Sequence, residues 1–204
     1  MDFKIEKNDN NKQGNEKIEK AEVYFDRGSR YLSLKKYKDA IENFEKALDI
    51  NKDDYETRFN LAVAYFHGGK YDKAVEMLEK LIEEGHQDQD IYFNLGSIFL
   101  ETKKYDKAIE YLKKSIEMDD LYLEAYVNLG NAYFYSKDYD RAIESYNKAI
   151  NLSPHDADYY VNRGLAYSLK GDKATAIADL EKALSLDPTN SKAKMNLQKI
   201  ESEF

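Results

Sequence analysis

An alanine returns every 34 residues along this chain, at Ala40, Ala74, Ala108, Ala142 and Ala176. An aromatic keeps the same step at Tyr31, Tyr65, Phe99, Tyr133 and Tyr167. Glycine holds a third column at Gly28, Gly96, Gly130 and Gly164, and Ala62 fills its remaining place. Three columns in one register leave little room for coincidence. A fixed period of this length marks an array whose units bury a core only by stacking on one another. The period sets units at 21–54, 55–88, 89–122, 123–156 and 157–190 without an insertion or deletion. Within each unit, positions 4, 8 and 11 share one stripe of a 3.6-residue helix, and positions 20, 24 and 27 share another beyond a polar turn. Each unit therefore reads as helix, turn, helix.

The small residues have a mechanical reason. Glycine at position 8 and alanine at position 20 let the paired helices approach closely. The aromatic at position 11 and the large residue at 24 (Phe44, Leu78, Leu112, Tyr146, Leu180) fill the space beside them. A helix-interior glycine costs about 1 kcal/mol relative to alanine, so its recurrence implies a packing gain at least as large.

These columns resemble the tetratricopeptide repeat (TPR). Tyr24, Tyr92, Tyr126 and Tyr160 hold its aromatic position 4, from which Arg58 departs. Leu61, Leu95 and Leu129 hold position 7, where Arg27 and Arg163 stand instead. Pro154 and Pro188 hold position 32, which is Lys52, His86 and Asp120 elsewhere. The resemblance implies an all-α fold: a right-handed superhelical α-solenoid of five 34-residue repeats over 16–190, closed by a capping helix over 191–204. Residues 1–15 form a polar stretch expected to be disordered, because it can bury too little to offset ordering entropy. The polar run EEGHQDQD at 83–90 replaces the usual junction and predicts a looser seam there.

Composition narrows the function. The formal net charge of −8 argues against nucleic acid as a partner, since counterion release calls for a basic face. The absence of cysteine excludes disulfides, thiolate metal sites and a cysteine nucleophile, and suits a reducing compartment. The polar N-terminal stretch has no signal-peptide core, and no run approaches the ~18–20 apolar residues of a membrane span. The expectation is a cytoplasmic protein without membrane insertion. His67, His86 and His155 stand in separate contexts without metal-ligand spacing, so no metal, cofactor or catalytic group is expected. The abundant carboxylates sit mostly beside lysines on helix surfaces, where they solubilise. The chain does not read as an enzyme.

Function is expected on the face of each first helix opposite the core stripe, at positions 2, 5, 6, 9, 12 and 13. The resemblance places this face along a concave groove. Asn60, Asn94, Asn128 and Asn162 recur at position 6, and Asn131 lies at position 9. Their amides both donate and accept, which suits the backbone of an extended peptide whatever its sequence. Phe59, Phe66, Phe93 and Tyr135 supply apolar area, and three phenylalanines on a solvent-facing stripe would mark a contact patch. Glu56, Asp90 and Glu124, with Glu22 and Asp158, form an acidic row that favours a neutral or basic ligand. The lysines and arginine with which chaperone-adaptor TPR domains grip a C-terminal carboxylate are missing, because every position 2 in the units is acidic and no position 5 is lysine. The leading expectation is a protein- or peptide-binding scaffold. The alternative is a self-associating spacer or assembly scaffold, a homo-oligomer built through the convex face or through Met195, Leu197, Ile200 and Phe204 of the cap.

Overall fold

The structure, a computed structural model, describes residues 17–202 in full. The side chains of the stretch expected as a tail over 1–15, and Phe204 of the cap, lie outside the described residues. Among the described residues there are eleven α-helices and no strand. The chain divides into two compact units, 1–87 and 88–204. The first holds α1 (Phe3–Ser33), α2 (Tyr37–Ile50), α3 (Tyr55–His67) and α4 (Tyr71–Glu83). The second holds α5 (Gln89–Glu101), α6 (Tyr105–Met118), α7 (Leu123–Tyr135), α8 (Tyr139–Leu152), α9 (Ala157–Lys170), α10 (Lys173–Leu186) and α11 (Ser191–Glu201).

Each odd-numbered helix up to α9 pairs with the helix after it. The recurring alanines Ala40, Ala74, Ala108, Ala142 and Ala176 are all fully buried at these pairings. A Cβ built on Gly28 would come within 2.6 Å of the Phe44 ring, and one on Gly130 within 2.5 Å of the Tyr146 ring. On Gly96 it would meet Leu112 at 2.5 Å. The bulky position-24 side chain thus occupies the space that the missing methyl group vacates, and Phe44, Leu78, Leu112 and Leu180 have no exposed surface at all. The Tyr146 hydroxyl, buried with its ring, donates to Asn131 Oδ1 at 2.8 Å.

One turn closes all the pairs. The amide of Lys36, Lys70, Lys104, Asp138 and Asp172 donates to the carbonyl of Tyr31, Tyr65, Phe99, Tyr133 and Tyr167 respectively, at 2.8–2.9 Å. This is the six-to-one bond of a Schellman motif, which needs a left-handed residue just before it. Gly69 and Gly171 supply that conformation, and Lys35, Lys103 and Lys137 adopt it with φ of 57°, 60° and 67°. Aspartate or asparagine side chains cap the first helices at Asp54, Asp88, Asp156 and Asn190. The α4 helix ends differently from α2, α6, α8 and α10. Gly85 turns left-handed with φ 95°, and the His86 amide closes on the Leu81 carbonyl at 3.0 Å. This second motif lies in the polar run where the chain divides.

Where the sequence departs from its own pattern, a partner changes too. Arg58 replaces the position-4 tyrosine, and Glu84 stands at position 30, which elsewhere is Ile50, Met118, Leu152 and Leu186. The two form an ion pair at 2.5 Å, with Arg58 also donating to the Asp53 carbonyl at 3.3 Å. An aromatic–aliphatic position pair has become an ionic one. Arg163 takes the leucine place at position 7. It grips buried Asp179 through two bonds of 2.8 and 2.6 Å and reaches Asn147 at 2.6 Å.

The last helix, α11, packs on α9 and α10. Ala193 and Ile200 join a cluster with Val161, Leu180 and Ala183, and Leu197 packs against it. Of the cap residues expected to serve a partner subunit, Ile200 and Leu197 are consumed by this packing. Met195 remains 63% exposed.

Two stability measurements follow from this packing. Helix propensity alone favours Gly130→Ala by about 1 kcal/mol, but the Tyr146 ring blocks the added methyl. Thermal melting should show a loss of about 1–3 kcal/mol, recovered in large part by adding Tyr146→Leu, which reproduces the Ala62–Leu78 pair. A stabilised single variant would refute the contact. Glu84→Leu alone should cost about 2–3 kcal/mol, below the range for fully buried pairs because Glu84 retains water. Arg58→Tyr with Glu84→Leu should melt at or above the wild-type temperature. If the single change leaves the melt unmoved, the ion pair contributes nothing.

Candidate functional site

Helix adjacency identifies the inner side of each compact unit. In the second unit the first helices touch in succession, α5 to α7, α7 to α9 and α9 to α11. The second helices α6, α8 and α10 touch first helices but, among the described residues, not one another. Helices that converge on one side of a stack and diverge on the other define its inner wall, so α5, α7 and α9 line it. In the first unit α1 touches α3, while α2 and α4 do not meet.

The residues singled out in the sequence distribute between the units. Glu56, Phe59, Asn60 and Phe66 belong to the first, on α3. Asp90, Phe93 and Asn94 on α5, Glu124, Asn128, Asn131 and Tyr135 on α7, and Asn162 on α9 belong to the second.

The asparagines are not equivalent. Asn60 and Asn94 donate to the carbonyls of Glu56 and Asp90 one turn back in their own helices, at 2.9 and 2.8 Å. Each keeps its amide oxygen for another partner. Asn128 donates to Ser97 Oγ on the neighbouring first helix at 2.9 Å. Asn131 accepts from Tyr146, so part of its capacity serves the hairpin core. Asn162 is half-buried on α9 and makes no hydrogen bond with its side chain among the described residues.

The phenylalanines are half-buried rather than laid bare, because other rings cover them. Tyr55 stacks on Phe59 at 6.2 Å, and Tyr122 lies 4.9 Å from Phe93. Phe66 lies between His67 at 4.8 Å and Tyr71 at 6.1 Å. Tyr135 is the openly exposed ring at 58%, stacked on Tyr105 at 5.9 Å. Leu169, at the equivalent place on α9, is 56% exposed and was not singled out in the sequence. Tyr55, Tyr122 and Tyr105 were also missed. Tyr55 and Tyr122 fall at unit edges and Tyr105 opens a second helix, all outside the columns used to find the inner face. Of the three, only Tyr105 belongs to a recurring aromatic column, with Tyr37, Tyr71 and Tyr139, that could have flagged it.

The acidic row divides by partner. Asp90 accepts from the Tyr122 hydroxyl at 2.7 Å, and Asp158 from Asn190 at 3.1 Å. Burial and the adjacent Asp90 carboxylate raise the Tyr122 pKa, so this phenol stays protonated as a donor. Glu22, Glu56 and Glu124 have no side-chain partner among the described residues, and their charges face water. Of the histidines, His67 stacks on Tyr37 at 5.5 Å and His86 on Tyr55 at 4.5 Å. Burial, followed by the nearby Lys35 charge, lowers the His67 pKa. Among the described residues no group of three or more His, Cys, Asp or Glu side chains could hold a metal ion, and no helix is long and apolar enough to cross a membrane.

Models of the tetratricopeptide repeat match residues 31–95, 89–120 and 157–190, and a TPR repeat model matches residues 130–171. No curated protein matches the chain in sequence. Among solved structures, the MamA protein is 29% identical with a TM-score of 0.73, covering 85% of this chain and 95% of that one. MamA from Desulfovibrio magneticus RS-1, residue 41 to the end, is 24% identical with a TM-score of 0.77, covering 84% of this chain and 97% of that one. YrrB, described as a TPR protein with an unusual peptide-binding site, is 22% identical with a TM-score of 0.73, covering 86% and 90%. The last two likenesses speak to the fold alone. With its small-residue hairpins, its two layers of helices and four matches spread from residue 31 to 190, the chain belongs to the tetratricopeptide repeat family of protein-interaction scaffolds.

Proposed function

We propose that this protein binds an extended, neutral or basic segment of another protein along the inner face of its first helices. The observation that carries this reading is the unspent polar capacity on that face: the free amide of Asn162, the open oxygens of Asn60 and Asn94, and the unpartnered carboxylates of Glu56 and Glu124. Such groups could satisfy a peptide backbone without displacing the bonds that hold the fold. The rings of Phe59, Phe66, Phe93 and Tyr135 would take apolar side chains of the ligand, and the neighbouring rings of Tyr55, Tyr71, Tyr122 and Tyr105 fix them before it arrives. Carboxylates along the same face disfavour an acidic tail, and the cationic clamp for a C-terminal carboxylate is not built here.

Self-association through the cap has less to recommend it, since only Met195 of its described apolar residues stays exposed.

The test begins with a partner recovered by affinity capture and narrowed to its binding segment by crosslinking. Calorimetry with Asn162→Ala should then show affinity lower by about 1 kcal/mol with an unchanged melting temperature, because this amide supports nothing in the fold. Phe59→Ala should cost about 1–2 kcal/mol of binding. Wild-type affinity in both variants would remove the inner face from consideration.

A further inference from the structure

The inner face of the first unit changes sign along its helices. At one level of α1 and α3 lies a cavity of about 270 Å³, walled by Ile18, Ala21 and Phe25 and lined by the carboxylates of Glu22, Asp54 and Glu56. No cation lines it. Asp54 is committed to the Thr57 amide at 2.8 Å, whereas Glu22 and Glu56 are uncommitted. Further along the same two helices lies a second cavity of about 400 Å³, floored by Leu32 and Val63, with Lys35 and His67 in its lining and no carboxylate.

The spacing between the two is fixed by a single helix. Glu56 and His67 both belong to α3. Their separation along the axis is about 16 Å at the helical rise per residue, which about five to six residues of extended chain would span, and a step of about six returns both side chains to one face. Lys35 stands at the left-handed position of the turn after α1, which lysine also fills at Lys103 and Lys137 and glycine at Gly69 and Gly171.

We infer that this face takes an extended peptide in a fixed polarity, with a basic side chain entering the cavity of Glu22 and Glu56 and an acidic one, about six residues away and so on the same side of the strand, entering that of Lys35 and His67. This rests on the inner-face reading above and narrows it. Neither cavity alone would select such a segment, because an isolated exposed charge contact contributes little. Two contacts of opposite sign at a set separation discriminate by both spacing and sign. An arriving carboxylate would also act on His67, whose ring meets Tyr37 from α2, Phe66 on its own helix and the charge of Lys35 from the turn after α1. It would offset the effect of Lys35 and favour the protonated ring.

The probes are four acetylated and amidated heptapeptides with alternating leucine and alanine between their ends: lysine first and glutamate last, each of these replaced in turn by glutamine, and both replaced. Nuclear magnetic resonance titration of the full chain reads affinity and location together. The doubly charged peptide should bind roughly fivefold tighter than either singly charged one. Glu22→Gln with Glu56→Gln should abolish the advantage of lysine alone. Lys35→Gly, which suits the turn, should abolish that of glutamate alone. The midpoint of His67 titration should rise only with peptides that carry glutamate. Four peptides shifting the inner-face signals with equal affinity would overturn the polarity and leave the groove standing. No shift of inner-face signals with any peptide would remove both.

Discussion

The rest of the structure depends on how closely the two helices of each pair approach. Glycine or alanine at one position, and alanine across from it, let a bulky side chain lie flat against the opposing backbone, as Tyr146 does over Gly130. That contact fixes the spacing of the pair and hence the offset at which the following first helix docks. Because the same contact recurs with the same turn, small geometric differences do not accumulate from pair to pair. An array has no central core to correct such drift, since each repeat meets only its neighbours.

From this spacing follows the division of labour between layers. Within each compact unit, first helices meet one another and, among the described residues, second helices do not, so inner side chains converge while outer ones spread apart. Convergence explains why rings on the inner face cover each other and why Asn128 reaches Ser97 on the adjacent helix. It also concentrates like charges. The Asp90 and Asp158 carboxylates are each quieted by a donor from a later element, and the remaining ones keep their full potential for a ligand. Fold and binding face therefore draw on the same residue types, and the difference lies in which hydrogen-bonding capacity is left over.

The repeat, the helix pairing and the small-residue contacts were legible because each is a periodic constraint on a backbone position. The inner face was legible as a stripe, which follows from helix geometry alone. Its chemistry was not. Whether an asparagine amide is free depends on a local choice between solvent and the carbonyl one turn back, and Asn60 and Asn162 look alike in sequence while differing in this respect. The covering of Phe93 by Tyr122 joins the first helix of a unit to that unit's last residue, where Asp54, Asp88, Asp156 and Asn190 stand in the others, so no recurring column marks it. Arg58 was visible as a departure from the pattern. Its meaning waited on Glu84, far along the chain and at a position the repeat pattern had not marked.

That paired substitution constrains how the second hairpin could have arisen. A tyrosine exchanged for arginine while an aliphatic residue still faced it would have left a cation shut away from water. The reverse order would have set a carboxylate against a phenol ring and aliphatic neighbours. Either intermediate is less stable than both ends of the path, so the ionic form persists once reached. Exchange of this hairpin for a neighbour's sequence would therefore have to carry both positions together.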